Sequence, residues 1–259
     1  MINLFPEPKK VIDRHAESKA FRKLYMPDTG AECRRLAQLR MWNYPDITIA
    51  DDAAADTITI RVVPSLQGIE TEKQDLFLQQ GYTLEIGHEE VTVRYEGRAG
   101  YINAITSVKM LFQKAKNGGY VLPECEIVDY PSLAVRAVAP TFSWYAGYGR
   151  IGFDCQLWGF DEWKEFINIS LDNKINQFNM VMYGYWPFEF EAYPETVFKN
   201  IPVKIWNAEN RRWLTVRYTH PNIEEPYLAD LAAYAHEFEF KLFAYVGLNS
   251  YNGAYSIKH

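Results

Sequence analysis

The sequence predicts an α+β domain over residues 1–128, followed by an α/β region over residues 129–259. A clear β-hairpin and the amphipathic helix after it indicate the first domain. A change in the pattern of predicted elements after residue 130 indicates the second region, because apolar strands then alternate with helices. Hydrophobic residues make up 48% of the 259 residues and charged residues 23%, which is typical of a folded globular protein.

The first predicted elements are a helix over Asp28–Arg40 and a strand over Thr57–Val63. Asp28 or Thr29 would cap the helix, whose leucines recur at helical spacing. The strand is rich in β-branched residues and is followed by a proline, which interrupts a strand ladder.

The clearest local pattern is a hairpin of Tyr82–Ile86 and Val91–Tyr95, in which apolar and polar residues alternate on both strands. A helix from Ala99 to Lys116 follows, with Asn117-Gly118-Gly119 as its C-cap. The next predicted strand covers Val121–Val128. We therefore expect an antiparallel sheet with one buried face and helices on that face.

The second region begins after Tyr130-Pro131 and alternates strands with helices. The predicted order is a strand over Leu133–Phe142, a helix capped by Asp161, a strand over Asn176–Tyr183, a loop from Gly184 to about Glu225, a helix from Pro226 to Phe238 and a strand over Phe240–Leu248. The apolar face of the first helix consists of Trp163, Phe166, Ile167 and Leu171. This rhythm implies parallel strands joined by right-handed crossovers.

Charge and cysteine content disfavour several classes of function. A net charge of -6 argues against nucleic-acid binding, which needs a basic field. The sequence lacks the roughly 20 consecutive apolar residues that cross a bilayer, and its start lacks the order of a signal peptide, so it predicts a cytoplasmic protein with no membrane partner. The widely spaced Cys33, Cys125 and Cys155 indicate neither a disulfide framework nor a zinc site. No cofactor and no metal are predicted.

Aromatic residues are unusually abundant, with 18 Tyr, 15 Phe and 7 Trp in the chain. They cluster in the second half, in Phe142–Tyr145, Tyr183–Phe188 and Tyr251–Tyr255. Two interpretations stay open, since aromatic rings have flat apolar faces with polar edges. The rings could form a large core, or they could line a cleft that binds sugars.

An ordered set of motifs covers residues 81–137. It comprises the hairpin that starts at Gly81-Tyr82, the run from Gly100 to Leu111, Ile127-Val-Asp-Tyr-Pro131 and Val135-Arg136. This set resembles glycoside hydrolase family 20, the β-N-acetylhexosaminidases, in which a small α+β domain precedes a barrel. The resemblance implies that residues 129–259 are the first part of a (β/α)₈ TIM barrel, incomplete in this chain.

The resemblance implies one substrate-binding residue, since Arg136 matches the family's arginine that binds ring hydroxyls of the terminal sugar. A charge in a buried run also needs a ligand or a partner, and a buried carboxylate is the alternative. Tyr183, Trp186, Asn249 and Tyr251 follow the second and third strands, where barrel loops build active sites. They are further candidates for substrate binding, with aromatic or loop packing as the alternative.

No catalytic residue is assigned. In the family, an adjacent Asp-Glu pair follows the fourth barrel strand, and this chain is expected to stop at about the third. The Glu is the acid/base, and the Asp orients the substrate acetamide that acts as nucleophile. Two departures from the family pattern are Ala137 in place of Gly and the stretch Asn179–Glu189 in place of a His- and Asp-rich one.

The leading hypothesis is a fragment of a hexosaminidase-like glycoside hydrolase that acts on terminal sugars of glycans, with carbohydrate as its partner. The alternatives are a non-catalytic carbohydrate-binding or inactive truncated protein, and an α-glucuronidase-like hydrolase. Because three strands do not close a barrel, we also expect open sheet edges and a homo-oligomer that covers them.

Overall fold

The computed structural model describes residues 2, 4–140, 158–182 and 199–246, together with residues 188, 189, 191, 192, 194 and 197. The chain divides into two compact units. The first unit comprises Met1–Arg136, Asn168–Asn176 and Glu237–Glu239, and the second comprises Ala137–Ile167, Gln177–His236 and Phe240–His259.

The first unit contains nine strands and three helices among the described residues. In chain order they are β1 (Lys10–Glu17), β2 (Lys23–Tyr25), α1 (Ala31–Arg40), β3 (Thr48–Ala50), β4 (Thr57–Val63), α2 (Gln74–Gln80), β5 (Tyr82–Ile86), β6 (Glu90–Tyr95), α3 (Arg98–Met110), β7 (Gln113–Lys114), β8 (Tyr120–Val121) and β9 (Pro123–Asp129).

Seven of these strands form one sheet in the order β1-β9-β5-β6-β4-β2-β3. The neighbours from β1 to β6 are antiparallel, whereas β6, β4, β2 and β3 are parallel to one another. The predicted antiparallel pairing therefore holds for one half of the sheet, and the sheet as a whole is mixed. For β2 and β3 the cause is that α1 connects them as a crossover helix, which returns the chain in the same direction.

The predicted hairpin of β5 and β6 is confirmed. The two strands pair antiparallel, with Leu84 opposite Val93, and the alternate apolar residues are buried except Tyr95, which is partly buried. Helix α3 packs on this pair and also contacts α1 and α2. Tyr101, Ile105 and Val108 of α3 are each at most 2% exposed. The hydrophobic periodicity in the sequence therefore identified both sides of this core.

The predicted start of α1 and the predicted end of α3 need correction. Helix α1 begins at Ala31, with Gly30 in the N-cap position, because Asp28 has a φ of 53° and turns the chain before the helix starts. Helix α3 ends at Met110 instead of Lys116. Beyond it, β7 and β8 pair as a short hairpin, and Gly118 and Gly119 lie in its turn with φ values of 85° and 79°.

Among its described residues, the second unit contains five strands, two further helices and most of a helix whose last residues belong to the first unit. In chain order the elements are β10 (Ala137–Val138), α4 (Phe160–Asp172), β11 (Gln177–Met182), β12 (Ile201–Asn207), β13 (Arg212–Tyr218), α5 (Pro221–Glu224), α6 (Leu228–His236) and β14 (Lys241–Val246).

Strands β10, β11 and β14 form a parallel sheet in that order, which confirms the predicted parallel pairing. The apolar face predicted for α4 is also buried, with Trp163 and Ile167 fully covered. The first strand begins at Ala137 instead of Leu133, however, and the predicted end at Phe142 lies outside the described residues. Leu133 and Val135 are 67% and 51% exposed, so the segment around Arg136 is not a buried run.

Aromatic side chains form the core of the second unit. Phe178 of β11 stacks on Phe166 with 4.9 Å between ring centroids and meets Phe240 edge to face at 4.6 Å. Trp158 meets Trp163 edge to face at 4.8 Å. Part of the aromatic excess is therefore core packing, as one of the two interpretations expected.

Three other predictions for the second unit are wrong. The segment predicted as a loop up to Glu225 contains the antiparallel hairpin of β12 and β13. Helix α6 begins at Leu228, so Pro226 lies before the helix and not in its first turn. At the start of α4, the Gly159 N–H donates to the Glu162 carboxylate at 3.0 Å, so Glu162 caps this helix in place of Asp161.

Candidate functional site

The carboxyl edge of the parallel sheet in the second unit is the first candidate site. Met182, the last residue of β11, pairs with Val246, the last residue of β14. Beside them, the Val181 N–H donates to the Pro140 carbonyl at 2.9 Å. The chain therefore leaves residues 140, 182 and 246 at the same edge. In parallel α/β folds, ligands bind beyond this edge of the sheet.

Four of the predicted site residues follow this edge along the chain. Tyr183 comes directly after Met182, and Asn249 comes three positions after Val246. Tyr183, Trp186, Asn249 and Tyr251 themselves lie outside the described residues. The pairing of β11 with β14 explains how two segments more than sixty positions apart in the sequence start from adjacent points.

Arg136 has a different location, directly before the first residue of β10. Its Nη1 donates to Gln80 Oε1 at 2.8 Å and to the carbonyls of Leu133 and Ala134 at 2.7 and 3.2 Å. Its Nε donates to the carbonyl of Lys174 at 2.5 Å. These acceptors are backbone carbonyls and an amide, and not the buried carboxylate of the alternative interpretation.

Burial lowers the pKa of Arg136 from its ordinary value, and the charge of Asp129 partly offsets this effect. Arg136 precedes β10, so it comes at the amino end of that strand, whereas the loops of a barrel site follow the carboxyl ends. Its contacts favour a role in holding chain segments together. Sugar binding by Arg136 stays a prediction.

A buried ion pair in the first unit was not among the sequence candidates. The Lys174 Nζ lies 2.5 Å from Asp129 Oδ2 and 2.9 Å from the Tyr82 hydroxyl oxygen. The Tyr82 hydroxyl donates to Asp129 at 3.0 Å and lies 2.6 Å from Ser107 Oγ. Burial lowers the pKa of Lys174, opposed by the charge of Asp129, and raises the pKa of Tyr82.

A second buried network surrounds Asp172 at the end of α4, also within the first unit. Its carboxylate accepts from Arg40, from Lys109 at 2.5 Å and from Trp42 at 3.1 Å. The fully buried Arg40 also donates to Thr106 and Asn168. Burial and the nearby Arg40 lower the pKa of Lys109 to about 8. Both networks fix the segment Asn168–Asn176 within the first unit.

A cavity of about 210 Å³ lies beside the Lys174 pair in the first unit. Lys9, Lys174 and Arg136 contribute positive charge to its wall, and Glu7 and Asp129 contribute negative charge. Lys174 and Arg136 direct their donors to protein acceptors. The mixed charge of the wall and the engaged donors favour a structural void over a site for a charged ligand.

The sequence held only a weak signal for these buried cations. Lys109 stands between apolar residues of α3, which is the same pattern that drew attention to Arg136. Lys174 lies in a turn after α4 and has no comparable pattern. Within the described ranges, no group of three or more His, Cys, Asp or Glu side chains is placed to hold a metal ion. None of the described helices is long and apolar enough to cross a membrane.

Comparison with known families identifies the first half of the chain. The model of glycosyl hydrolase family 20, domain 2, matches residues 1–130, which cover half of the sequence. This chain belongs to glycosyl hydrolase family 20. The match covers the seven-stranded sheet and its helices, so this mixed α+β unit is domain 2 of a family 20 protein. A search of the curated proteins gave no match.

Solved structures share the fold of this family 20 chain. The Streptomyces plicatus N-acetyl-β-hexosaminidase in complex with Thio-NAglucal aligns with a TM-score of 0.66 at 17% identity, covering 97% of this chain and 47% of that one. The family 20 exo-β-N-acetylglucosaminidase of Vibrio harveyi in complex with N-acetylglucosamine aligns with a TM-score of 0.61 at 13% identity, covering 93% and 35%. This family 20 chain thus spans less than half the length of either structure.

Proposed function

We propose that this chain is part of a hexosaminidase-like glycoside hydrolase that removes terminal sugars from glycans. In this proposal residues 1–128 form the α+β accessory domain, and residues 129–259 form the first part of a (β/α)₈ barrel. The observation that carries the proposal is the common carboxyl edge of β11 and β14, which directly precedes the aromatic segments. The fold shared with family 20 hexosaminidases supports it.

The chemistry of the following residues suits a sugar. Aromatic rings such as those of Tyr183, Trp186 and Tyr251 pack on the apolar C–H faces of a pyranose. The side chain of Asn249 both donates and accepts hydrogen bonds, as sugar hydroxyls require. In the proposed site these four residues bind the terminal sugar. The acid/base Glu and the acetamide-orienting Asp of the substrate-assisted mechanism would follow a fourth strand.

The direct test of hydrolysis uses a panel of nitrophenyl glycosides with the longest protein that the reading frame encodes. We expect hydrolysis of the N-acetyl-β-glucosaminide. Hydrolysis of the α-glucuronide alone would identify an α-glucuronidase-like enzyme instead. Binding of N-acetylglucosamine in calorimetry without any hydrolysis would identify a non-catalytic carbohydrate-binding protein. If the protein neither hydrolyses any of the glycosides nor binds N-acetylglucosamine, the proposal is refuted.

The binding residues are tested by Trp186→Ala, measured by calorimetry with N-acetylglucosamine. We expect at least a tenfold weaker affinity, which corresponds to ~1.4 kcal/mol. Phe5→Ala is the matched control, because Phe5 is an aromatic residue of the first unit with 68% of its surface exposed. Equal affinities of both variants and the original protein would exclude Trp186 from the site.

A further inference from the structure

The hairpin of β12 and β13 has two chemically different faces. Cross-strand pairing places Lys204 opposite Thr215, Trp206 opposite Trp213 and Pro202 opposite Arg217 on one face. We call this set the Trp face. Its side chains are Pro202, Lys204, Trp206, Trp213, Thr215 and Arg217, and every one of these residues is exposed.

The opposite face of the hairpin is mostly apolar. Three of its four cross-strand pairs are apolar, Ile201 with Tyr218, Val203 with Val216 and Ile205 with Leu214, and the fourth is Asn207 with Arg212. Four of the six apolar residues are partly buried. A two-stranded sheet needs such packing, because an isolated hairpin is only marginally stable in water. The apolar face therefore serves stability, and the Trp face is left for solvent or a ligand.

Two exposed tryptophans on one face need an explanation. Trp206 and Trp213 are 51% and 65% exposed, and their ring centroids lie 5.5 Å apart at an interplanar angle of 63°. Tryptophan is usually highly buried, and contiguous exposed aromatic surface marks binding sites. An indole ring offers an apolar face for the C–H groups of a sugar and an N–H that donates to a hydroxyl.

The charge of the Trp face selects the kind of ligand. Lys204 and Arg217 are the charged residues of this face, and neither has an acidic neighbour on it. The turn of the hairpin adds Arg211, and Glu209 is the one acidic residue of the segment 201–218. This basic segment belongs to a chain with a net charge of -6. Opposite charge therefore favours an anionic ligand.

We propose that the Trp face is a binding site for an acidic polysaccharide, separate from the proposed catalytic edge. Trp206 and Trp213 stack on sugar rings, while Lys204 and Arg217 pair with carboxylate or sulfate groups. The Arg217 Nη1 donates to the Asn200 carbonyl at 3.0 Å, which holds one side of its guanidinium and limits the freedom that binding would remove. Thr215 between them supplies a hydroxyl for hydrogen bonds to sugar hydroxyls.

The test is affinity electrophoresis of the full chain in gels that contain dextran sulfate, polygalacturonate or neutral dextran. We expect the two acidic polymers to retard the protein and dextran to retard it little. The acidic polymer that causes the greater retardation identifies sulfate or carboxylate as the preferred anion. Raising the salt concentration should weaken the retardation, because exposed charges are screened. Equal retardation by all three polymers, or by none, would overturn the proposal.

Variants separate the Trp face from general charge effects. The double variant Trp206→Ala and Trp213→Ala should lower the affinity for the acidic polymer at least tenfold, and Lys204→Gln with Arg217→Gln should do the same. Arg94→Gln is the control, because Arg94 is an exposed cation of the first unit. Circular dichroism of each variant checks that the fold is retained. Unchanged binding by the folded double tryptophan variant would contradict the proposal.

Two other occupants of the Trp face give distinct results. One result is that the protein sediments with anionic phospholipid vesicles, that the double tryptophan variant does not, and that neither polysaccharide is bound. This result would assign the face to a membrane surface. A dimer seen by light scattering that the double tryptophan variant abolishes would assign it to a second copy of the chain. Either result would overturn the polysaccharide proposal.

Discussion

Lys174 and Asp129 form an ion pair in the interior of the first unit, with 2.5 Å between Nζ and Oδ2 and at most 9% of either side chain exposed. The two residues are 45 positions apart in the sequence. Tyr82 contacts both of them and adds a hydroxyl to the pair. This relationship ties the turn after α4 to the end of β9, so its removal should affect the whole unit.

We expect Lys174→Met to lower the free energy of unfolding by about 3–5 kcal/mol, because the change leaves a buried carboxylate without its cation. Adding Asp129→Asn to Lys174→Met should recover part of that loss, since the uncompensated charge is then gone. Urea unfolding measures both. Arg61→Ala is the control, because the Arg61–Glu90 pair is exposed and should contribute less than ~1 kcal/mol. An equal loss of unfolding free energy in Lys174→Met and Arg61→Ala would contradict this prediction.

The titration of Lys109 should increase the free energy of unfolding as the pH rises above about 8. Its pKa in the folded chain is about 8, below the ordinary value of 10.5. Between these values the unfolded chain holds the proton and the folded chain does not, so the free energy of unfolding increases with pH, by up to ~3 kcal/mol. Below about pH 8 both states are protonated, and the contribution no longer changes with pH.

The measurement is urea unfolding at about pH 7 and about pH 10 for the original protein and Lys109→Met. The difference in stability between the two proteins should change with pH, because only the original protein carries the titrating group. Lys116→Met, at an exposed lysine, is the control and should follow the original protein at both values. Parallel pH profiles for Lys109→Met and the original protein would show that Lys109 does not titrate in this way.

Arg136→Lys distinguishes a structural role from sugar binding. Lysine keeps the charge but loses the planar fork that reaches Gln80 and three backbone carbonyls. We expect the free energy of unfolding to fall by about 2 kcal/mol, because the partly buried Lys174 carbonyl and Gln80 amide lose their donor. Thermal or urea unfolding gives this value. An unchanged stability together with a weaker affinity for N-acetylglucosamine would instead support sugar binding.

Gly100→Ala should destabilise the first unit although alanine favours helices. A Cβ at residue 100 would lie 2.3 Å from the Gly81 carbonyl oxygen, and the helix start has no room to shift because Gly97 approaches the Gln79 carbonyl in the same way. Overpacking of this kind costs about 1–3 kcal/mol. Gly87→Ala is the control, since its Cβ would meet only the Glu90 carbonyl at 3.6 Å. Equal stability of the two variants would contradict the expected clash.

The chain by itself should form dimers through the outer strands of its parallel sheet. Among the described strands, β10 and β14 have a neighbour on one side only, and such edges pair readily with another chain. Light scattering after size-exclusion chromatography measures the mass. Phe243→Lys adds a charge to β14 at a residue that is 51% exposed and should shift the chain toward the monomer. A monomeric original chain would disprove the prediction.

The local parts of the fold followed from the sequence. Alternation predicted β5 and β6, and helical spacing predicted α3 and the buried face of α4, because each pattern records which side of one element faces the core. The family resemblance was confirmed by the domain 2 match, which covers residues 81–130 of the motif set. The hairpin of β12 and β13 was missed, although Ile201–Asn207 and Arg212–Tyr218 are both rich in strand-forming residues.

The sequence by itself determined the type of most elements, the parallel rhythm of β11 and β14 and the family. The tertiary structure alone decided three things: the mixed direction of the large sheet, the partners of the buried cations and the orientation of Trp206 and Trp213 on one exposed face. The physical reason is the separation in sequence over which each kind of interaction acts. Periodicity acts between residues a few positions apart, whereas strand partners and ion pairs such as Lys174 with Asp129 join residues that only the folded chain brings together.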